Sequence, residues 1–158
     1  MKPVMFYAAA VAAVMAVAPI AQAGGHSDTP QQAASKARIA QMKLYSFNLG
    51  LLGGMAKGAV DYDAAAAKGA AENLAALASM DQSRMWPQGS DSDTLSTSRA
   101  LPAIWMPGSK ALEKAATMAE TSAALAAVAG DGLDQLRGGI GPVGQSCGGC
   151  HDDYRKPK

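Results

Sequence analysis

Both cysteines of the chain, Cys147 and Cys150, and one of its two histidines, His151, stand together in GQSCGGCHDDYRKPK, residues 144–158. Thiols three positions apart share one side of a helix, and the histidine that follows sets an imidazole beside them. Three chemistries use such a set. A C-x-x-C pair in an oxidising compartment can close a disulfide or act as a redox dithiol, but the thioredoxin-like site sits in a βαβ setting and no strand pattern lies upstream. Structural zinc takes four ligands, and here there are three, with His26 far away in an N-terminal tail. C-x-x-C-H is also the pattern of covalent haem attachment. There the two thiols add across the haem vinyl groups and the adjacent imidazole becomes the proximal iron ligand. The pentapeptide points to haem, with a disulfide and zinc as the competing readings.

The elements that must carry this motif are helical. Alanine is abundant, aromatic residues make up 5% of the chain and β-branched residues are sparse, a composition that favours helix. Residues 1–23, MKPVMFYAAAVAAVMAVAPIAQA, have the form of a secretory signal peptide: Lys2, an apolar run broken by Pro19, and Ala-Gln-Ala before the cleavage point. The domain expected after processing is 24–158, exported to the periplasm, with no stable membrane span after removal of the signal. The chain has 14 Lys and Arg against 13 Asp and Glu. Without Lys2 the two signs balance, so there is no electrostatic footprint for nucleic acid.

Four helices are expected in residues 24–158. The first runs from Pro30, which suits a first helical position, to about Lys57, with Ile39, Met42, Tyr45, Leu49 and Leu52 near one stripe. GAVDYD turns the chain, and Asp61 or Asp63 caps a second helix over Ala64–Met80. Residues 81–103 are rich in Pro, Gly, Ser and Asp and form the long connection; Trp86 in it and Trp105 just beyond suggest that it packs on the body. A third helix is expected over Ser109–Val128, with Leu112, Ala115, Ala119, Ser122 and Leu125 as a face. AGDG turns into a fourth helix near Gly132 that bends at Pro142 without breaking and carries the cysteines. Short outer turns and one long middle connection describe an all-α, antiparallel four-helix bundle, with the haem beside its C-terminal helix.

In this order the chain resembles the cytochrome c′ family, the class II c-type cytochromes, and within it the low-spin, methionine-ligated c-556/c-554 type. The resemblance is carried by SCGGCHDDYRK at the C-terminus, GDGLDQLR opening the last helix, PAIW before the third, KGAVDYDAAAAK between the first two, and ARIAQMK in the first. It implies one haem c, bound covalently through Cys147 and Cys150, with His151 as proximal iron ligand. It implies a distal face built by the first helix, where Arg38 is followed one turn later by Met42. Met42 is then a distal thioether ligand or a non-ligating apolar cap, and Arg38 a partner for a haem propionate. A basic residue near the proximal histidine corresponds to Arg155.

With His151 and Met42 as the axial pair, the expectation is a periplasmic carrier of single electrons that meets transient redox partner proteins and is not an enzyme. The alternative is a five-coordinate cytochrome c′ that takes a small gas ligand, NO or CO, at the distal face. Family members are monomers or homodimers through the first two helices. His26 has no expected role.

Overall fold

The computed structural model describes residues 27–157. The expected signal peptide and His26 lie outside them. Four long helices, α1 (Pro30–Ala56), α2 (Ala64–Ser79), α3 (Ala111–Val128) and α4 (Leu133–Tyr154), are joined by two short turns and one long connection that holds two 3₁₀ turns.

Local chemistry sets the helix starts. Thr29 Oγ1 accepts from Gln32 N at 3.2 Å, and Gln32 Oε1 accepts from Thr29 N at 2.9 Å. This reciprocal box meets two of the amide groups that a helix start leaves free, with Pro30 at the first position. Of the two candidate caps for α2, Asp63 does the work: its Oδ1 accepts from Ala66 N at 2.7 Å. Helix α4 runs unbroken through Pro142. Gly141, lacking a Cβ, relieves the clash that a proline imposes on the residue before it.

One tyrosine fixes the topology. Tyr62, in the α1–α2 turn, donates to Ala129 O and accepts from Gly132 N, both at 2.9 Å, in the α3–α4 turn. The two short turns therefore lie at the same end. Helices α1 and α3 run toward that end and α2 and α4 run away from it, so neighbours in the bundle are antiparallel. Leu52, Leu74, Leu125, Leu136 and Val143 are fully buried between the helices.

The inward stripe of α1 differs from the expected one. It is Arg38, Gln41, Tyr45, Asn48, Leu52 and Met55, a run of alternating three- and four-residue steps that contains polar side chains. Ile39 and Met42 are 41% and 40% exposed. The polar members find partners for their amide nitrogens: Gln41 Nε2 donates to Leu77 O at 2.9 Å, and Asn48 Nδ2 to Leu44 O at 2.8 Å, while Gln41 Oε1 is buried without a partner. Helix α3 departs too. Ser122 and Leu125 are buried as expected, but Leu112 is 85% exposed, and with Ala115 it lines a cavity instead of the packed interior.

Candidate haem site

The cavity lies toward the end of the bundle opposite Tyr62, bounded by the middle of α1, the end of α2, the long connection, the first half of α3 and the end of α4. Its volume is about 850 Å³, within the roughly 300–1,000 Å³ usual for cofactor pockets. The walls are mostly apolar. Cys147, Cys150 and His151 all line it from α4, and Met42 lines it from α1. The structure thus brings four of the five sequence-derived site residues to one cavity.

The chemistry of these side chains suits a covalently attached, iron-bearing macrocycle. The two cysteines are free and half-buried, and burial pushes both thiols above the ordinary range. Burial first, and then the nearby charges of Arg155 and Arg99, pull His151 below the usual histidine range. The imidazole is therefore kept neutral, as a metal ligand must be. Among the described residues no three of His, Cys, Asp and Glu converge as a metal cluster. Tyr45, inside the cavity wall, is pushed up to about 12 by burial and by Cys147, so it stays a neutral phenol.

Arg38, the fifth residue, does not line the cavity. It is 5% exposed and turned into the long connection. Nη1 donates to Met85 O at 2.5 Å and Ser90 Oγ at 2.8 Å; Nη2 donates to Ser90 O at 2.6 Å and Ser98 Oγ at 3.3 Å. Its guanidinium also stands 4.7 Å from the centre of the Trp86 ring. The expected propionate contact therefore meets a guanidinium whose two terminal nitrogens are already engaged by protein oxygens.

Trp86 and Trp105 are cavity residues that the sequence reading treated as packing alone. Their rings lie 6.1 Å apart at 55°, and Trp105 Nε1 donates to Trp86 O at 2.9 Å. Their place in and beside a Pro- and Gly-rich loop was the available signal. Between them in sequence the connection joins the last turn of α4. Leu101 N donates to Tyr154 O at 2.9 Å, Lys156 N donates to Arg99 O at 2.8 Å, and Ala100 pairs with Arg155 in an isolated bridge. The connection therefore spans from the Arg38–Met42 turn of α1 to the His151–Arg155 turn of α4.

Comparison with known proteins agrees with this architecture. The family model for cytochrome C' matches residues 33–155. A cytochrome c-554 of Cereibacter sphaeroides is 43% identical over 115 residues, which span 73% of this chain and 86% of that protein. The solved structure titled "Cytochrome c' from Rhodobacter Spheriodes" superposes with a TM-score of 0.78 at 35% identity, over 81% of this chain and 98% of that one. A nitric oxide complex of a cytochrome c prime mutant from Alcaligenes xylosoxidans superposes with a TM-score of 0.71 at 31% identity, over 84% and 100% of the two chains. No helix among the described residues is long and apolar enough to cross a membrane. With its four-helix bundle, its single pair of cysteines and a cavity for one covalent haem c, the chain belongs to the cytochrome c′ family.

Proposed function

We propose that this protein is a periplasmic electron carrier, exported by residues 1–23, whose haem iron is held by His151 and Met42. The observation that carries the reading is that Met42, one turn beyond Arg38 on α1, lines the same cavity as Cys147, Cys150 and His151. When bound, the haem supplies a one-electron iron couple. The chain does the rest. Cys147 and Cys150 fix the macrocycle to α4, so it is not lost on each redox cycle. His151 would offer a neutral nitrogen and Met42 a soft thioether, a pair that would raise the potential. The apolar walls exclude water and favour the less charged reduced centre. Redox partners are transient proteins that dock near the cavity mouth, and the chain acts as a monomer or as a homodimer through α1 and α2.

A second reading has its own support. Met42 is 40% exposed and flexible, and a structural neighbour is titled a nitric oxide complex. If the thioether leaves readily, the distal face admits a neutral diatomic gas. Met42→Leu in the holoprotein separates the two. On the carrier reading the substitution converts a low-spin absorption spectrum to a high-spin one and opens fast carbon monoxide binding by the reduced form. An unchanged spectrum removes Met42 as a ligand.

A further inference from the structure

Helix α3 meets α4 through one stripe of side chains. Leu125 packs over Gly139, where an added Cβ would fall 2.9 Å from Leu125 Cδ1. One turn on, Thr121 Oγ1 and Ser146 Oγ are 3.1 Å apart, and beyond them Met118 Sδ lies 3.8 Å from Cys147 Sγ. The next position on this stripe, at the cavity end, is Lys114, four residues before Met118. Its Nζ donates to Gly149 O at 2.8 Å and meets Asp153 Oδ2 at 3.0 Å. Gly149 lies between the two cysteines and Asp153 two residues past His151, so one ammonium group brackets the whole attachment turn. Among the described residues Lys114 is the only lysine or arginine that lines the cavity. Its side chain is 28% exposed, against 57% for Asp153. The Asp153 carboxylate holds it above the ordinary lysine range.

We propose that Lys114 is a positioning residue for the haem: from α3 it fixes the roll of the attachment turn, and its cation, offset by Asp153, sets part of the reduction potential. The proposal rests on the reading of His151 as proximal ligand. The neutral contacts along the stripe hold α4 against α3, but neither Thr121–Ser146 nor Met118–Cys147 reaches the residues on both sides of His151. Tyr154 OH also accepts from Lys110 N at 2.7 Å, which ties the same two ends without bringing a charge to the cavity. Oxidation leaves the haem iron one unit more positive. A cation at the wall therefore disfavours the oxidised form, and a carboxylate beside it does the reverse.

The test is a potentiometric titration of the holoprotein and of Lys114→Gln, Lys114→Arg, Asp153→Asn and the Lys114→Gln/Asp153→Asn double variant, each followed by absorption spectroscopy. Lys114→Gln is expected to lower the midpoint potential and Asp153→Asn to raise it. The double variant should fall between the two, and Lys114→Arg should stay near the unsubstituted protein. A Lys114→Gln protein that keeps its haem and an unshifted potential overturns the proposal, as do two single variants that shift in the same direction. If Lys114→Gln does not retain haem, Asp153→Asn, which keeps the lysine on Gly149, decides: an unshifted potential there overturns the proposal. Failure of the proximal-ligand reading shows elsewhere, as an unaltered spectrum in His151→Ala.

Discussion

Arg38 shows how a single side chain can organise a site without entering it. Its four hydrogen bonds all go to uncharged oxygens of residues 85–98, and burial pulls its pKa below the ordinary arginine value. A buried cation with no carboxylate partner is tolerable because protein dipoles hold both terminal nitrogens and the Trp86 face lies against the guanidinium. Replacing it with methionine would remove all four bonds and leave Met85 O without its donor, while Ser90 O keeps the Ser98 hydroxyl. We expect Arg38→Met to lower the stability of the holoprotein by about 2–4 kcal/mol. Arg38→Lys should recover little of this, because an ammonium cannot span the same fork; denaturant titration measures both. At this scale the attachment motif was legible because its residues are adjacent in sequence. The partners of Arg38 were not, since they lie 47 to 60 positions away and serine-rich loops carry no local signal of what they will bind. Met42 was found only through its spacing from Arg38 in a resemblance, not by periodicity, which assigned it to the packed stripe.

The helices were legible from their ends. Pro30 announces α1, the Asp61–Asp63 pair announces α2, and the glycine-rich turn before Leu133 announces α4; the Thr29–Gln32 box was not read from the sequence. Which face each helix turns inward was less so. Counting apolar residues on α1 favoured Ile39 and Met42, whereas the bundle buries Asn48, whose amide is bonded at both ends, and Gln41, whose amide nitrogen donates to Leu77 O. Leu112 was misplaced for a related reason: an apolar side chain next to a cofactor cavity looks like a core residue in sequence. Helix α4 is the least promising by propensity, and only some of its glycines serve close packing. Gly139 is such a position and Gly144 is not: nothing lies within 4 Å of a Cβ built there. Gly139→Leu should therefore destabilise the fold by about 1–3 kcal/mol through overpacking against Leu125. Gly144→Ala should stabilise it by about 0.5–1 kcal/mol through helix propensity alone. Thermal unfolding followed by circular dichroism distinguishes them.

Over the whole molecule the two ends of the bundle differ in how they are held. The Tyr62 end is closed by short turns and a buried core. The cavity end is closed by the long connection, which Arg38 anchors to α1 and residues 99–101 anchor to the last turn of α4. The bundle and its long middle connection were expected from sequence; that this connection forms a wall of the site and links its two faces could be read only from the fold. On the proposed reading α4 would make the proximal side of the haem and α1 the distal side, whose character depends on one methionine. The near-infrared magnetic circular dichroism of the oxidised, purified holoprotein tests that dependence directly. With Met42 and His151 as axial ligands, a sulfur-to-iron charge-transfer band accompanies a low-spin signal at neutral pH. A high-spin spectrum without that band would contradict the account.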